Sequence, residues 1–336
     1  MGCQFLGINL LFYFLNRNRK RILCYHNVLP EGHFQDRLHE GVSHSEFVFQ
    51  QQVRHLAKRF PMGLDLENPR QLTLSFDDGY RNQHAIVHPI LMQYGIRAYF
   101  FCALDLVLGN CTLLIDEIML WLSYTAEGEY NIRLPGLLRS MTLNIRSEAD
   151  RLSCYQTVYS QIAADYHNIA PAVRAEFDRC RPFSEIRSWI EPDYQTLRFS
   201  PILPHALDAM KAYGHQVGAH SMTHAVMSSL NEDDMNQEYE ACSRELGKLF
   251  NCAVFSYPYG GLREVSLRET EATRNHGFTD AVSNTNTPLP GNRTYTRYFR
   301  PRMALPNTSD VAVIDFILSG AKHFMQHCRL LPKLQP

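Results

Sequence analysis

Leu72-Thr73-Leu74-Ser75-Phe76-Asp77-Asp78-Gly79 is the stretch that decides the fold. Residues 72–76 are apolar at strand length, and the chain then breaks into two carboxylates and a glycine. Helical spacing follows at 84–94 and stops at Gly95, so the stretch reads as half of a β-α unit. The unit recurs along the chain. A shorter strand at 22–25 precedes it, and a strand rich in aromatics follows at 96–102. A helix at 204–213 ends at Gly214, and the strand 215–219 runs into His220. A helix at 233–250, opened by Asn231-Glu232-Asp233, leads to the strand 252–257 and the turn Pro258-Tyr259-Gly260. A helix near 265–275, a strand at 278–282, a last strand at 297–305 and a closing helix at 310–328 complete the series. Such alternation is the pattern of a parallel sheet with crossover helices.

Composition bounds what such a chain does. Of its 336 residues, 45% are hydrophobic and 20% charged, as in compact globular chains and unlike disordered ones. Its 33 basic and 34 acidic residues leave a formal net charge of -1, so no global field favours nucleic acid. The nine cysteines stand singly, with no CxxC pair. They read as reduced thiols, which excludes a cysteine zinc module and makes the cytoplasm the expected compartment, with export or membrane association as the alternative.

Residues 5–15 are apolar and are followed by Arg17, Arg19, Lys20 and Arg21. Eleven residues fall short of the ~20 needed to span a bilayer as a helix. The charges follow the apolar run instead of preceding it, which speaks against a cleaved signal, and Leu6 speaks against a lipidation motif at Gly2 and Cys3. Residues 1–20 are expected to form an amphipathic helical segment packed on the domain, with peripheral membrane contact as the alternative. Helical patterns at 113–124 and 149–166 interrupt the alternation, so 104–200 reads as a helical insertion capping the site or presenting a solvated surface. One domain is expected over 21–308, with a C-terminal helix and tail at 309–336.

Four segments fall where a strand gives way to a loop, which is the functional end of a parallel α/β fold. They are Tyr25-His26-Asn27-Val28, Ser75 to Gly79, His220-Ser221-Met222-Thr223-His224, and Tyr257-Pro258-Tyr259-Gly260. On a helical first turn, His220 and His224 would share a face with Cβ atoms about 5–6 Å apart. Two imidazoles then reach one ion, and Asp78 supplies a carboxylate from a neighbouring strand. Alone, the HxxxH spacing is a weak signal and Asp-Gly is ordinary turn chemistry. Their coincidence at two strand ends carries the weight.

With these residues the chain resembles the polysaccharide deacetylase family (NodB homology, carbohydrate esterase family 4). The resemblance runs through Leu74 to Tyr80, Gly214 to His224 and Phe255 to Gly260, in that order, and covers roughly 21–102 and 200–305. It implies a distorted (β/α) barrel with parallel strands. It also implies that Asp78, His220 and His224 hold a divalent metal, with zinc the default and cobalt, nickel or iron also suited. Asp77 would be the catalytic base, against a reading as a turn cap, and the backbone N–H of Tyr259 would help stabilise the oxyanion. The arginine that such chains carry shortly before the Pro-Tyr-Gly motif is missing, since Phe255 and Ser256 stand there. Arg302 resembles an arginine found late in a Tyr-His-x-Val subgroup and would reach the base or form a surface salt bridge. In that subgroup the early histidine, here His26, takes the part of the general acid; the alternative is a core histidine bonded to a backbone carbonyl. No Leu-x-His motif supplies another acid.

The expected activity is therefore metal-dependent removal of the N-acetyl group from an amino-sugar oligomer or polysaccharide. The alternatives are an O-acetyl esterase and a catalytically inactive glycan-binding relative.

Overall fold

The computed structural model describes residues 2–33, 42–109, 112–133, 141–164, 166–285 and 297–328. Cys111 and the tail beyond 328 lie outside them, as does the side chain of Cys3. Eight parallel strands form one nearly closed barrel: β1 (Arg21–Tyr25), β2 (Leu72–Phe76), β3 (Tyr99–Cys102), β4 (Gln216–Ala219), β5 (Val254–Ser256), β6 (Asp280–Ser283), β7 (Arg300–Pro301) and β8 (Met303–Ala304). Their order around the sheet is β7-β6-β5-β4-β3-β2-β1-β8. The two edges, β7 on β6 and β8 on β1, are thus consecutive pieces of one segment parted by Arg302 alone. The expected last strand is broken there. Pro301 has no N–H to donate to a ladder, and the chain changes neighbours across the seam.

Period-2 alternation sorts each strand into a lumen face and a helix face. Ile22, Tyr99, Phe101, Val254 and Val282 pack with one another as a small core of their own. Leu23, Tyr25, Leu74, Phe76 and Phe100 belong to the large outer core, with Phe49, Val53 and Leu56 of helix α2 (Glu46–Arg59). The same alternation gives the inner face Cys24 on β1, Thr73 and Ser75 on β2 and Ser256 on β5. Gly218 on β4 has no alternative, because a Cβ there would meet the Val254 carbonyl at 2.5 Å and the Phe101 ring at 3.0 Å.

Helices Pro204–Tyr213, α4 (Glu232–Arg244) and Leu267–Asn275 are the later crossovers. The helix expected at 84–94 is a π-helical turn, Gln83–Val87, running into His88–Gln93. Between β3 and Pro204–Tyr213 stand Leu104–Val107, Leu114–Tyr124, α3 (Glu148–Ala164), Tyr166–Cys180, Phe183–Ser188 and Pro192–Phe199. An antiparallel pair, Gly128–Ile132 with Met141–Ile145, joins them, where the sequence pattern points to helices alone. The closing helix divides at Gly320 (φ 86°) into α5 (Val311–Ser319) and α6 (Ala321–His327).

Helix α1 (Gly2–Leu15) packs against α5 and α6. Its polar side faces inward: Asn9, and Asn16 directly after it, are buried while Leu10, Leu11, Phe14 and Leu15 are exposed. No described helix is long and apolar enough to cross a membrane.

Candidate functional site

The lumen-facing columns of β1 and β2 run out at His26 and at Asp77-Asp78, so strand alternation itself delivers these groups to the C-terminal mouth of the barrel. Gln83 ties the two strand ends together, its side-chain amide donating to the His26 carbonyl (3.0 Å) and the Asp77 carbonyl (2.5 Å). Beyond Asp77 the backbone enters the left-handed region at Asp78 (φ 78°) and Gly79 (φ 89°). Among the described residues, the positive-φ non-glycine residues are Asp78, Ser221, His224 and Tyr259. All four lie in the predicted motifs. Backbone strain of this kind costs roughly 1–3 kcal/mol per residue and persists where the surroundings over-determine it.

Asp78 Oδ1 lies 3.4 Å from His220 Nε2 and 3.2 Å from His224 Nε2. The three donor atoms all fall within 4.8 Å of one another, and all three residues are buried. The sequence expectation that these atoms converge holds, but its helical geometry does not. His220 to His224 is a loop, with left-handed backbone at Ser221 and His224, and this bend brings the two rings to a centroid distance of 5.0 Å. Glu238, on the helix Glu232–Arg244, holds the loop. Its carboxylate accepts from the backbone N–H of Met222 (2.7 Å) and Thr223 (3.0 Å) and from the Thr223 hydroxyl (2.6 Å).

The donor set fits a divalent cation. Ser256 O can only accept, so His220 Nδ1, 2.8 Å away, carries the proton and leaves the Nε2 lone pair for an ion. Asp78 Oδ1 is buried and takes part in no hydrogen bond, an arrangement that a cation makes favourable. Burial pulls the His220 imidazole down, yet Asp77 and Asp78 outweigh it and raise its pKa. Burial likewise pushes Asp78 up, and His220, His224 and His26 bring it well below the usual carboxylate range. The pocket is built to favour positive charge.

Asp77 is fully buried and paired two-to-two with Arg302, Nη1 to Oδ1 at 2.7 Å and Nη2 to Oδ2 at 2.5 Å. Arg302 also donates to the hydroxyls of Ser75 (3.1 Å) and Ser256 (2.8 Å), and its Nε donates to Ser283 O (3.3 Å). It is no surface salt bridge. Burial would raise the Asp77 pKa, but Arg302, His220 and His26 hold it down at about 2. The Cys24 thiol lies 3.5 Å from Asp77 Oδ2, and burial keeps it protonated.

His26 Nε2 stands 4.0 Å from Asp77 Oδ2, with the side chain 21% exposed at the mouth. Its Nδ1 is buried and bonds to no described group, so it is not a core histidine tied to a backbone carbonyl. Burial lowers its pKa in spite of Asp78 and Asp77. The Tyr259 ring lies 5.1 Å from His224 and 5.2 Å from Tyr159 of α3, which brings the segment 104–200 to the edge of the site.

Sequence reasoning missed Ser75, Ser256, Gln83, Glu238 and Tyr159. Ser75 and Ser256 lay inside the quoted motifs, as lumen-facing polar residues at the ends of apolar strands. Glu238 and Tyr159 sit on helices whose spacing alone does not mark them.

Residues 162–280 match the family model described as polysaccharide deacetylase. The matched span contains His220, His224 and Tyr259, and lies downstream of His26, Asp77 and Asp78. No curated protein matches the chain in sequence. In three dimensions the chain is similar to a Streptococcus pyogenes deacetylase in complex with acetate, at 12% identity and a TM-score of 0.53 over 90% of this chain and 98% of that one. It is also similar to a polysaccharide deacetylase from Bacillus cereus, at 12% identity and a TM-score of 0.51 over 90% and 68% of the two chains. A de-N-acetylase from Aggregatibacter actinomycetemcomitans aligns at 12% identity and a TM-score of 0.50 over 89% and 99%. At such identities the likeness speaks for the fold. Over residues 162–280 the chain is thus similar to polysaccharide deacetylases, and its fold is a NodB-like barrel.

Proposed function

We propose that this chain is a metal-dependent deacetylase that hydrolyses the N-acetyl group of an amino-sugar oligomer or polysaccharide, releasing acetate and a free amine. The family match supports deacetylation of a polysaccharide. The observation that carries the finer reading is the convergence of Asp78, His220 and His224 beside a buried carboxylate, Asp77. Those three would hold the cation, zinc by default or another ion suited to two imidazoles and one carboxylate. When bound, the cation supplies the positive charge that acidifies a water and polarises the acetyl carbonyl.

The chain's own groups account for the proton balance. Asp77 accepts the water's proton on the edge facing His26, while Arg302 fixes the carboxylate so that it cannot turn away. A carboxylate held near 2 is a weak base, so its contribution is position more than basicity. His26 is the proton donor to the departing nitrogen. Its lowered pKa leaves it neutral near pH 7, so it must gain a proton within the cycle, and the carboxyl 4.0 Å away holds the one just taken. The Tyr259 backbone, in a left-handed turn beside His224, is the donor we assign to the oxyanion. The placement of His26 and Arg302 favours the Tyr-His-x-Val subgroup. Among the described residues the cysteines are free thiols, which favours a reducing compartment such as the cytoplasm.

The test is acetate and amine release from N-acetylglucosamine oligomers by the metal-loaded protein, with O-acetylated xylan in parallel. Amine release that a chelator abolishes and zinc restores is the expected result. Alcohol release alone would reassign the chain as an esterase, and binding of oligomers without turnover would leave an inert relative.

A further inference from the structure

We infer that the outward face of α1 is a docking surface for an anionic lipid bilayer. This helix is built inside out. Its inward contacts are polar: the Asn16 amide donates to Ser319 O (2.8 Å), the Ser319 hydroxyl reaches Asn9 Oδ1 (3.5 Å), and the Tyr13 hydroxyl donates to Asp315 (3.2 Å). Its outward side chains are large and apolar, with Leu10 62%, Leu11 55%, Phe14 62% and Leu15 58% exposed. Helices α5 and α6, on which α1 lies, add the exposed Val311, Val313 and Phe324, and Phe324 packs 5.1 Å from Phe12. A contiguous apolar surface of this kind marks an interaction site.

Charge identifies the occupant. Residues 1–30 hold no Asp or Glu, nor do residues 316–336, whereas Arg17, Arg19 and Lys20 follow α1 directly and Lys322 lies in α6. The Arg17 guanidinium, exposed, sits 4.3 Å over the Phe14 ring, at the boundary between the apolar face and water. On α5 the exposed Asp310 caps the helix through Ala312 N–H and Asp315 accepts from Tyr13; the rest of the rim is cationic, and apolar side chains so rimmed match acyl chains beneath anionic headgroups. A two-fold pairing of this face with a second copy would set the arginines against one another, with no carboxylate on α1 to answer them. Fourteen residues rise about 21 Å as a helix, short of a hydrocarbon core of about 30 Å, so α1 lies in the plane of the surface. It enters the barrel at the N-terminal end of β1, while the metal pocket opens at the C-terminal ends, so docking leaves the mouth clear.

The test is sedimentation of the full chain with phosphatidylcholine vesicles, plain or containing about one third phosphatidylglycerol. Wild type should pellet with the anionic vesicles and release in high salt. Leu10→Asp with Phe14→Asp should lose at least about tenfold in partitioning while keeping its thermal midpoint, because both side chains point away from the fold. Should that variant fail to fold, Arg17→Glu with Arg19→Glu tests the same surface through the salt-sensitive term. Wild type left in the supernatant, or pelleting equally with both variants, overturns the inference. So does a wild-type dimer that the variants split and that ignores vesicles, since it assigns the face to a second copy.

Discussion

The protein treats two buried aspartate–arginine pairs oppositely. At the mouth of the barrel, Asp77 meets Arg302 through two parallel contacts and the bridging Ser256 hydroxyl, and its pKa sits at about 2. Where the segment 104–200 meets the chain after β2, Asp116 receives Arg198 at 3.2 Å and the Tyr80 hydroxyl at 2.6 Å, and burial holds its pKa at about 6. Both pairs are shut away from water. Arg198 divides its guanidinium between Asp116 and the rings of Tyr80 and Phe199. A buried ion pair is thus not one kind of object: at Asp77 a two-to-two guanidinium together with His220 and His26 overcomes desolvation, and at Asp116 the 3.2 Å guanidinium contact and the tyrosine hydroxyl do not.

The comparison can be pressed where its effects are largest. Asp77→Asn keeps the shape of the carboxylate and removes its charge; turnover should fall by about 10²–10⁴-fold while the metal content, read by mass spectrometry, stays at one per chain. Unchanged turnover would strip Asp77 of the part of base. Next comes Arg302→Met, which strands a buried carboxylate and should cost about 3–5 kcal/mol in urea unfolding.

The pH dependence separates the two pairs by sign. Asp77 is more acidic folded than the ordinary 3.8, so its contribution is present above about pH 4 and lost as pH falls toward 2, about 2 kcal/mol in all. Asp116 is less acidic folded than unfolded. Its contribution is therefore present below about pH 4 and lost as pH climbs through 6, about 3 kcal/mol. Unfolding midpoints of metal-free protein between these limits should fall at both ends, and Asp116→Asn should flatten only the upper one. The smallest effect belongs to the double change Asp116→Leu with Arg198→Met, expected within about 1–2 kcal/mol of wild type and still active. A large loss there would mean the second pair is built like the first.

Much of the barrel was legible because each strand is a short apolar run closed by a turn, and because Asp77, Asp78, His220 and His224 sit where such runs end. What stayed hidden depends on partners far along the chain. Nothing local to Pro301-Arg302 says that one residue will bridge two sheet edges, since that register is set by Ser283 on one side and Leu23 on the other. The left-handed backbone at Ser221 and His224 has no glycine to announce it. Gly128–Ile132 and Met141–Ile145 are half exposed and rich in polar residues, so their pairing left little apolar trace. In α1 the polar stripe Asn9, Tyr13, Asn16 was present at helical spacing, but an apolar run invites the assumption that its apolar side faces the protein.

Arg302 also fixes when the proposed site comes into being. The guanidinium that steadies Asp77 is separated from it by 225 residues, and it arrives with the two short strands that shut the barrel. A ribosome-bound chain that has exposed both aspartates and both histidines still lacks this latch. Activity should therefore appear only in the last stage of synthesis, and any product truncated before residue 300 should stay inert however well its earlier strands have paired.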